Sequence, residues 1–347
     1  MSTYVRRMRL FNQNFKGKMK TLLEKLSTNT KLSEKEAYDF IFGIKEEYFN
    51  STQLVAAMSF LIKRPISVEE LIGFKNALLD LSVKIGLDKE AIDVCGTGGD
   101  QKNTFNISTL SAIVLAASGI PVAKHGNHGA SSVSGSSDIL KYLGYKFKTN
   151  SEELNSELNK YNICFIHAPL FHPTLKNVAL QRKELGLRTF FNLLGPLVNP
   201  SLPKYKYIGV YNKEVGRLYN YALQVEKSNF TLVHSMDGYD EISLTGIFKC
   251  NTNEVEKLYD PLDLGFDSYK EKELFGGHNL EEAGRIFVNV LSNKATKAQA
   301  DVVIVNSAFA MQTYFPERRI ADCIHQCKET LESQRAHQLF KNLINQN

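Results

Sequence analysis

Hydrophobic and polar positions change their spacing near residue 90, and this change divides the chain into two kinds of predicted structure. Residues 21–86 repeat apolar side chains at the spacing of an amphipathic helix. Ser33 and Ser67 each stand three residues before a glutamate and ahead of an apolar run, the signature of a capping box. Ser51 is a suitable N-cap for a further helix. The pattern predicts an all-helical opening unit with four helices and no strand.

Beyond residue 90, short apolar runs alternate with helical patterns. The predicted strands cover residues 91–95, 122–125, 163–168, 206–211 and 230–234, and helices are predicted between them and at the end of the chain. One such helix begins at residues 171–173 and carries Leu180 on its buried side. This alternation predicts the α/β class: a small all-helical N-terminal domain plus a larger α/β domain with a central mixed, mostly parallel sheet.

The domain boundaries follow from the same pattern. Residues 1–18 are expected to form a disordered basic extension, because they contain no long apolar run. Residues 19–88 form the predicted helical domain, joined by helices from about 173–200. Residues 89–347 form the predicted α/β domain, which would bind the phosphate-bearing ligand described below.

Two loops rich in glycine and serine follow the first two predicted strands. They are GTGGD at residues 96–100 and the stretch 126–135. Glycine lets the main chain approach a ligand and adopt positive φ, so that N–H groups converge on an anion. A helix beginning at Ser108 and Thr109 adds hydroxyl donors and its positive dipole end, while Lys124 and His125 add cationic donors. The pattern predicts a phosphate-binding site, although neither a Walker loop nor a G-x-G-x-x-G fingerprint is present.

Several strings resemble those of the anthranilate phosphoribosyltransferases. They are GTGGD at 96–100, NIST at 106–109, KHGN at 124–127, SSVSGS at 131–136, RTFFNLLGPLVNP at 188–200 and DGYDEIS at 237–243. The resemblance extends from about Thr21 to the C-terminus. It implies transfer of the 5-phosphoribosyl group from phosphoribosyl diphosphate to the amine of anthranilate in L-tryptophan biosynthesis, with release of pyrophosphate. It also implies a homodimer formed through the helical domain.

The resemblance assigns site residues by motif. The residues expected to bind phosphoribosyl diphosphate are Gly96, Gly99, Asp100, Thr104, Asn106, Ile107, Ser108, Thr109, Lys124, His125, Gly126, Asn127, His128, Gly129, Ala130, Ser131, Ser132 and Ser136. Those expected to contact anthranilate are Gly96, Asn127 and Arg182, since a planar bidentate donor suits a carboxylate. No residue is assigned as a general acid or base. His128 stands where the family usually has arginine and Val133 where it often has lysine, so two cationic donors are weakened or missing.

Two adjacent carboxylates, Asp240 and Glu241, follow a glycine turn at the end of a predicted strand. Mg²⁺ prefers oxygen ligands and usually binds through one or two carboxylates together with substrate phosphates. A lone Asp-Glu pair is more often a solvated turn, but the phosphate-binding loops supply the missing partner. The resemblance implies two Mg²⁺ ions per subunit, with Ser108, Asp240 and Glu241 as ligands.

Charge and cysteine content exclude several other classes. The net charge of +5 arises entirely in the first twenty residues, which carry six cationic side chains and no acid. A nucleic-acid surface would require that charge within the folded part. The five cysteines are scattered and odd in number, which favours a reducing compartment, and a cytoplasmic enzyme is therefore expected. There is no run of 18 apolar residues, and no membrane partner is expected.

Two alternatives remain open at this point. A pyrimidine-nucleoside-phosphorylase-like enzyme would share the architecture but differ in its phosphate loop. A non-enzymatic nucleic-acid-binding relative of the same fold would be expected to lose the glycine loops or the Asp240–Glu241 pair, and both are present.

Overall fold

The computed structural model describes residues 17–129 and 133–345. Its helices are α1 (residues 17–27), α2 (Glu34–Lys45), α3 (Ser51–Ile62), α4 (Val68–Asp80), α5 (Ile107–Ala117), α6 (Ser136–Tyr142), α7 (Ser151–Tyr161), α8 (Ala168–Phe171), α9 (Ala179–Leu185), α10 (Lys213–Glu226), α11 (Leu280–Leu291), α12 (Lys297–Tyr314), α13 (Ile320–Glu332) and α14 (Arg335–Ile344). Its strands are β1 (Ile92–Gly96), β2 (Val122–Gly126), β3 (Ile163–His167), β4 (Tyr205–Gly209), β5 (Asn229–Ser235), β6 (Phe248–Thr252) and β7 (Glu256–Tyr259). The predicted extension at residues 1–18 lies almost wholly outside the described residues.

The chain divides into two compact units. Unit 1 contains residues up to Val83 together with Phe171–Pro200, and unit 2 contains Lys84–Leu170 with Ser201–Asn347. None of the helices in the described ranges combines the length and the apolar character that a bilayer crossing requires.

Unit 1 is helical, and α2 packs on α4 through buried aromatic rings. The Phe74 ring centroid lies 6.1 Å from that of Phe40 and 4.3 Å from that of Phe190, so the second segment of unit 1 contributes to the same core. Ser33 and Ser67 cap α2 and α4 by capping boxes, as their spacing predicts. The cap of α3 was predicted wrongly: Asn50, and not Ser51, accepts from the Gln53 N–H and sits in the extended conformation of an N-cap.

The helix predicted from residues 171–173 is also different. The chain forms a 3₁₀ helix over Pro173–Val178 before α9 begins. A 3₁₀ helix has three residues per turn and not 3.6, so the phase of the following residues shifts. As a result, Leu180 is 60% exposed and not buried.

Unit 2 contains a seven-stranded sheet with the order β3-β2-β1-β4-β5-β6-β7. The first five strands are parallel, and β6 and β7 are antiparallel. The apolar α5 is buried in its core, together with the mostly apolar stretch of α12 from Val302 to Met311. The predicted α/β class with a mixed, mostly parallel sheet is confirmed.

The β6–β7 hairpin has no counterpart among the predicted elements. The alternation of Phe248 and Cys250 with polar neighbours, followed by Asn253 and Glu254, was the available signal. The strands are only five and four residues long, and β7 is largely exposed, so the apolar pattern that marks buried strands is weak there.

We predict that Gly73→Ala destabilises the protein. A Cβ at Gly73 in α4 would overlap the Glu34 carbonyl oxygen and approach the Ala37 Cβ to 2.7 Å, so α2 and α4 must separate. Overpacking of this kind costs about 1–3 kcal/mol. Gly216→Ala in α10 is the matched control, because its Cβ would meet only the Val210 Cγ2 at 3.4 Å. Calorimetry should show a lowered melting temperature for Gly73→Ala and an unchanged melting temperature for Gly216→Ala. Equal shifts in the two variants would contradict the packing argument.

Candidate active site

The candidate site lies where the order of the strands reverses. The chain runs from β1 outward to β2 and β3, then returns to place β4 on the other side of β1. Because β1 to β5 are parallel, the loops after β1, β2 and β5 all emerge at the same edge of the sheet. Ligands of open α/β sheets bind in the crevice outside such a reversal point.

Glycines at the ends of β1 and β4 allow the loop after β5 to cross this crevice. A Cβ at Gly96 would overlap the Asp240 Oδ2, and one at Gly209 would overlap the Asp240 carbonyl oxygen. Gly98 and Gly99 both have positive φ, at 65° and 85°, a conformation that glycine adopts without steric cost. The small residues of GTGGD therefore serve two purposes: they form the turn, and they admit the carboxylate loop.

Main-chain N–H groups hold the two carboxylates. The Gly98 N–H donates to Asp240 Oδ2 at 2.6 Å, and the Ser108 N–H, in the first turn of α5, donates to Glu241 Oε1 at 3.0 Å. The Ser235 hydroxyl donates to the Glu241 carbonyl oxygen at 2.7 Å and so fixes the loop. The predicted metal ligands Ser108, Asp240 and Glu241 are thus brought together.

Burial makes this cluster electrostatically costly. Burial first, and then the neighbouring Asp100, raises the pKa of Asp240 to about 8. Burial, Asp240 and Asp100 raise the pKa of Glu241 well above its usual range. Burial also raises the pKa of Asp100. Several acidic groups that cannot all ionise together form a site that a cation would stabilise.

Lys124 is buried between the two loops, with 2% of its surface exposed. Its ammonium donates to the Val94 carbonyl oxygen and to the Ser108 Oγ, the latter at 3.3 Å. Burial lowers its pKa, while Asp93 and Glu241 oppose that effect. Lys124 therefore positions Ser108 and supplies positive charge beneath the carboxylates.

Asp138, in the first turn of α6, organises the second loop. Its Oδ2 accepts from the Gly129 N–H at 2.8 Å and the Gly135 N–H at 2.9 Å, and its Oδ1 contacts the His128 Nδ1 at 2.5 Å. His128 thus has a carboxylate partner. Sequence reasoning missed Asp138 as a site residue, although its place three residues after Gly135 at the start of a helix was a capping signal.

The two loops are joined by side chains. Asn106 donates from Nδ2 to the Ser134 carbonyl oxygen at 3.1 Å and accepts from the Ser134 hydroxyl at 3.2 Å. Asn103 accepts from the Val133 N–H at 3.4 Å. Asn103 also donates to the Gly277 carbonyl oxygen at 2.9 Å, which ties in a distant turn. A ligand between the loops would therefore contact one connected unit.

Other residues that are predicted to bind phosphoribosyl diphosphate lie in α5, in β2 and in the chain after β2. Ile107 and Thr109 are buried in the first turn of α5, and His125 donates its N–H to Asp93 Oδ1 at 3.1 Å. Asn127 accepts the His128 N–H on its side chain, and Gly126 lies where a Cβ would overlap Ser136. Ala130, Ser131 and Ser132 lie outside the described residues.

Arg182 belongs to unit 1, in α9. Its guanidinium carbon lies 5.1 Å from the centroid of the Phe191 ring, a cation–π distance. Burial lowers the pKa of Arg182. The guanidinium is still charged, because an arginine in a protein is not deprotonated near neutral pH. It is therefore a partly buried cation held against an aromatic surface.

The cluster fits a magnesium ion that shares its coordination with a substrate. Within the described ranges, no three His, Cys, Asp or Glu side chains surround a common point where a metal could be held. The Asp240–Glu241 pair provides hard oxygen ligands in a buried setting, and Mg²⁺ commonly uses one or two carboxylates with phosphate and water. The fit is to a metal that arrives with a phosphate ligand.

An α/β sheet with glycine loops and a carboxylate pair at its reversal point defines a phosphate-binding transferase. The model of the glycosyl transferase family, a/b domain, matches residues 88–337. The chain belongs to that family, and its relatives narrow the assignment to the anthranilate phosphoribosyltransferases.

Known proteins similar to this chain support that assignment. The anthranilate phosphoribosyltransferase of Cytophaga hutchinsonii is 46% identical over 94% of this chain and all of its own length. The Saccharomyces cerevisiae enzyme in complex with PRPP and Mg superposes with a TM-score of 0.86 at 27% identity, covering 94% of this chain and 97% of its own. The same yeast enzyme in complex with 4-fluoroanthranilate superposes with a TM-score of 0.84 at 25% identity, covering 95% of this chain and 97% of its own.

We predict that Mg²⁺ stabilises the protein more at about pH 8.5 than at about pH 6. Asp240 has a raised pKa in the folded protein, so its stabilising effect is complete below its unfolded pKa and is lost as pH rises through about 8. A bound cation offsets that loss. Thermal unfolding with and without Mg²⁺ measures the stabilisation by the ion at each pH. Asp240→Asn should reduce the pH-dependent part and leave the contribution of Glu241, whereas Asp237→Asn, on the exposed side of the same loop, should retain all of it. A pH-independent Mg²⁺ effect would refute the assignment.

Proposed function

We propose that this protein transfers the 5-phosphoribosyl group from phosphoribosyl diphosphate to the amine of anthranilate, releasing pyrophosphate. The observation that carries the proposal is the Asp240–Glu241 pair, held by the Gly98 and Ser108 N–H groups at the mouth of the glycine loop. The chain's family membership gives the substrates. The product, N-(5-phosphoribosyl)anthranilate, is an intermediate of L-tryptophan biosynthesis.

The chemistry needs charge stabilisation and positioning. As pyrophosphate departs, negative charge grows on it and the ribose carbon becomes cation-like, so groups that are fixed in advance lower the barrier. The glycine loop and Ser108 would hold the diphosphate, and Lys124 together with the second loop shaped by Asp138 would hold the rest of the donor. The amine of anthranilate then attacks the ribose carbon as the bond to pyrophosphate breaks, and the nitrogen releases one proton to solvent or to the departing pyrophosphate.

We propose two Mg²⁺ ions per subunit, one shared by Ser108 and Glu241 and one by Asp240 and Glu241. Bound Mg²⁺ would neutralise charge on the pyrophosphate leaving group. The protein's own part is to keep both carboxylates oriented from the loop after β5. The buried Asp100 beside them adds to the negative field that attracts the cations.

Arg182 is proposed to take the carboxylate of anthranilate. A guanidinium offers two parallel donors to a carboxylate, which a lysine ammonium does not. The ring of Phe191 beside Arg182 limits the orientations of the guanidinium. Gly96 and Asn127 are proposed as the other contacts of anthranilate.

The activity is tested by the loss of anthranilate fluorescence in the presence of phosphoribosyl diphosphate and Mg²⁺. Arg182→Lys should raise the KM for anthranilate about tenfold or more, because a bidentate charge-assisted pair is lost, and leave the KM for the donor unchanged. Lys183→Gln, at the neighbouring exposed position, is the control. No turnover by the folded wild-type protein would refute the function; an equal rise in both KM values would refute only the role of Arg182.

The proposal extends to a homodimer formed through unit 1. This unit leaves Ile62, Leu180 and Leu187 exposed, the last two at 60%. Exposed apolar side chains of this size provide surface that an interface between subunits would bury. A cytoplasmic location is proposed with it, supported by five cysteines that are all free, as expected in a reducing compartment.

We predict that Leu180→Glu weakens the dimer. A carboxylate at the centre of an apolar interface loses its hydration without gaining a partner. Sedimentation or light scattering across a dilution series measures the effect. Val225→Glu is the control, since Val225 is equally exposed, at 67%, but lies on α10 of unit 2. A monomeric wild-type protein, or a dimer that only Val225→Glu disrupts, would contradict the proposed interface.

A further inference from the structure

A cavity of about 290 Å³ lies in unit 2 between α10 and the β5–β6–β7 edge of the sheet. Its floor is one face of the strands, where Leu232 stands opposite Asn251 and His234 opposite Lys249. Its wall is the stripe of α10 formed by residues 213, 216–217 and 220–221, which recur at helical spacing. Gly216 in that stripe leaves the space open.

This cavity is on the opposite face of β5 from the carboxylate loop. Successive side chains of a strand alternate between the two faces. His234 lines the cavity, whereas the adjacent Ser235 donates to the Glu241 carbonyl oxygen. A ligand here would therefore leave the phosphoribosyl site accessible.

The cavity carries an excess of positive charge. Lys213, Arg217 and Lys249 line it, against the single carboxylate of Glu256. Glu256 forms an ion pair with Lys249. Lys213 is the first residue of α10, at the positive end of the helix dipole. Phosphate is the kind of group that such cations and dipoles bind.

Two acceptors accompany the cations. His234 is 7% exposed, and its Nδ1 lies 2.9 Å from the Val210 carbonyl oxygen, so the proton is on Nδ1. The ring makes no other hydrogen bond within the described residues, which leaves Nε2 as an acceptor. Burial, with Lys213 and Lys249, lowers the pKa of His234 against the opposing effects of the Val210 hydrogen bond and Asp237. The Oδ1 of Asn251 is buried without a hydrogen-bond partner in the described part of the chain.

We propose that this cavity binds a small hydroxylated phosphate ester about the size of a pentose phosphate. The phosphoryl group contacts Lys213, Arg217 and Lys249, and hydroxyl groups donate to the His234 Nε2 and the Asn251 Oδ1. Inorganic phosphate would satisfy the cations but not both acceptors. A buried acceptor without a donor is costly, so the hydroxyl groups add affinity and selectivity.

The test uses the full-length protein and follows its histidine side chains by NMR, with ribose 5-phosphate and inorganic phosphate as probes. The chain has eight histidines, and the His234 signal is assigned with His234→Gln. Ribose 5-phosphate should shift the His234 signal at concentrations of about 10 mM or below. Binding at the active-site loops would instead shift His125 and His128, so failure here is distinguishable from failure of the proposed transferase activity.

Substitutions in the cavity should change the affinity for ribose 5-phosphate in opposite directions. Arg217→Gln should weaken the binding of ribose 5-phosphate about tenfold, because a charge-assisted contact is lost. Glu256→Gln should increase the affinity for ribose 5-phosphate, since the competing carboxylate is removed. A merely structural role of Glu256 would not predict an increase in affinity. Lys328→Gln, at an exposed position of α13 far from the cavity lining in sequence, is the control and should change nothing. An unmoved His234 signal would overturn the site, and equal affinity for inorganic phosphate would overturn the ligand class.

Discussion

Close approach of main chain to main chain at the strand reversal is the constraint on which the rest of this structure depends. The loop after β5 lies across the ends of β1 and β4 only because Gly96 and Gly209 have no side chains. That approach places Asp240 and Glu241 within reach of the Gly98 and Ser108 N–H groups. Without it, the glycine loop would have no carboxylates beside it.

Electrostatics and geometry point in the same direction at this edge of the sheet. Burying Asp100, Asp240 and Glu241 together raises the pKa of each, which is unfavourable for a protein on its own. Such a cost is understandable where a cation and a charged substrate arrive together. The buried Lys124 and the paired Asp138 are also charged side chains that orient neighbouring groups: Lys124 donates to Ser108, and Asp138 accepts from the Gly129 N–H.

Much of this arrangement could be predicted from the sequence, because strong local patterns coincide with the elements that build the site. The runs at β1 and β2 begin with apolar residues and end at Gly96 and Gly126, so strand and loop are both evident. The β6–β7 hairpin could not be predicted in that way, since its exposed side carries little apolar pattern. Leu180 was misplaced because a 3₁₀ turn upstream changes the helical phase. Asp138 was missed because its role depends on two N–H groups whose convergence is set by the folded loop.

The order in which the chain is made has a consequence for how this site appears. The Gly98–Asp240 hydrogen bond joins residues 142 positions apart, and Ser108–Glu241 joins residues 133 apart. When β1, β2 and β3 emerge during synthesis, the edge of β1 that later pairs with β4 has no partner until Tyr205–Gly209 follows. Contacts at such separations are slow to form, and unpaired strand edges associate readily with other chains. The central position of β1, which gives the finished enzyme its crevice, thus exposes the nascent chain to mispairing for about a hundred residues of synthesis.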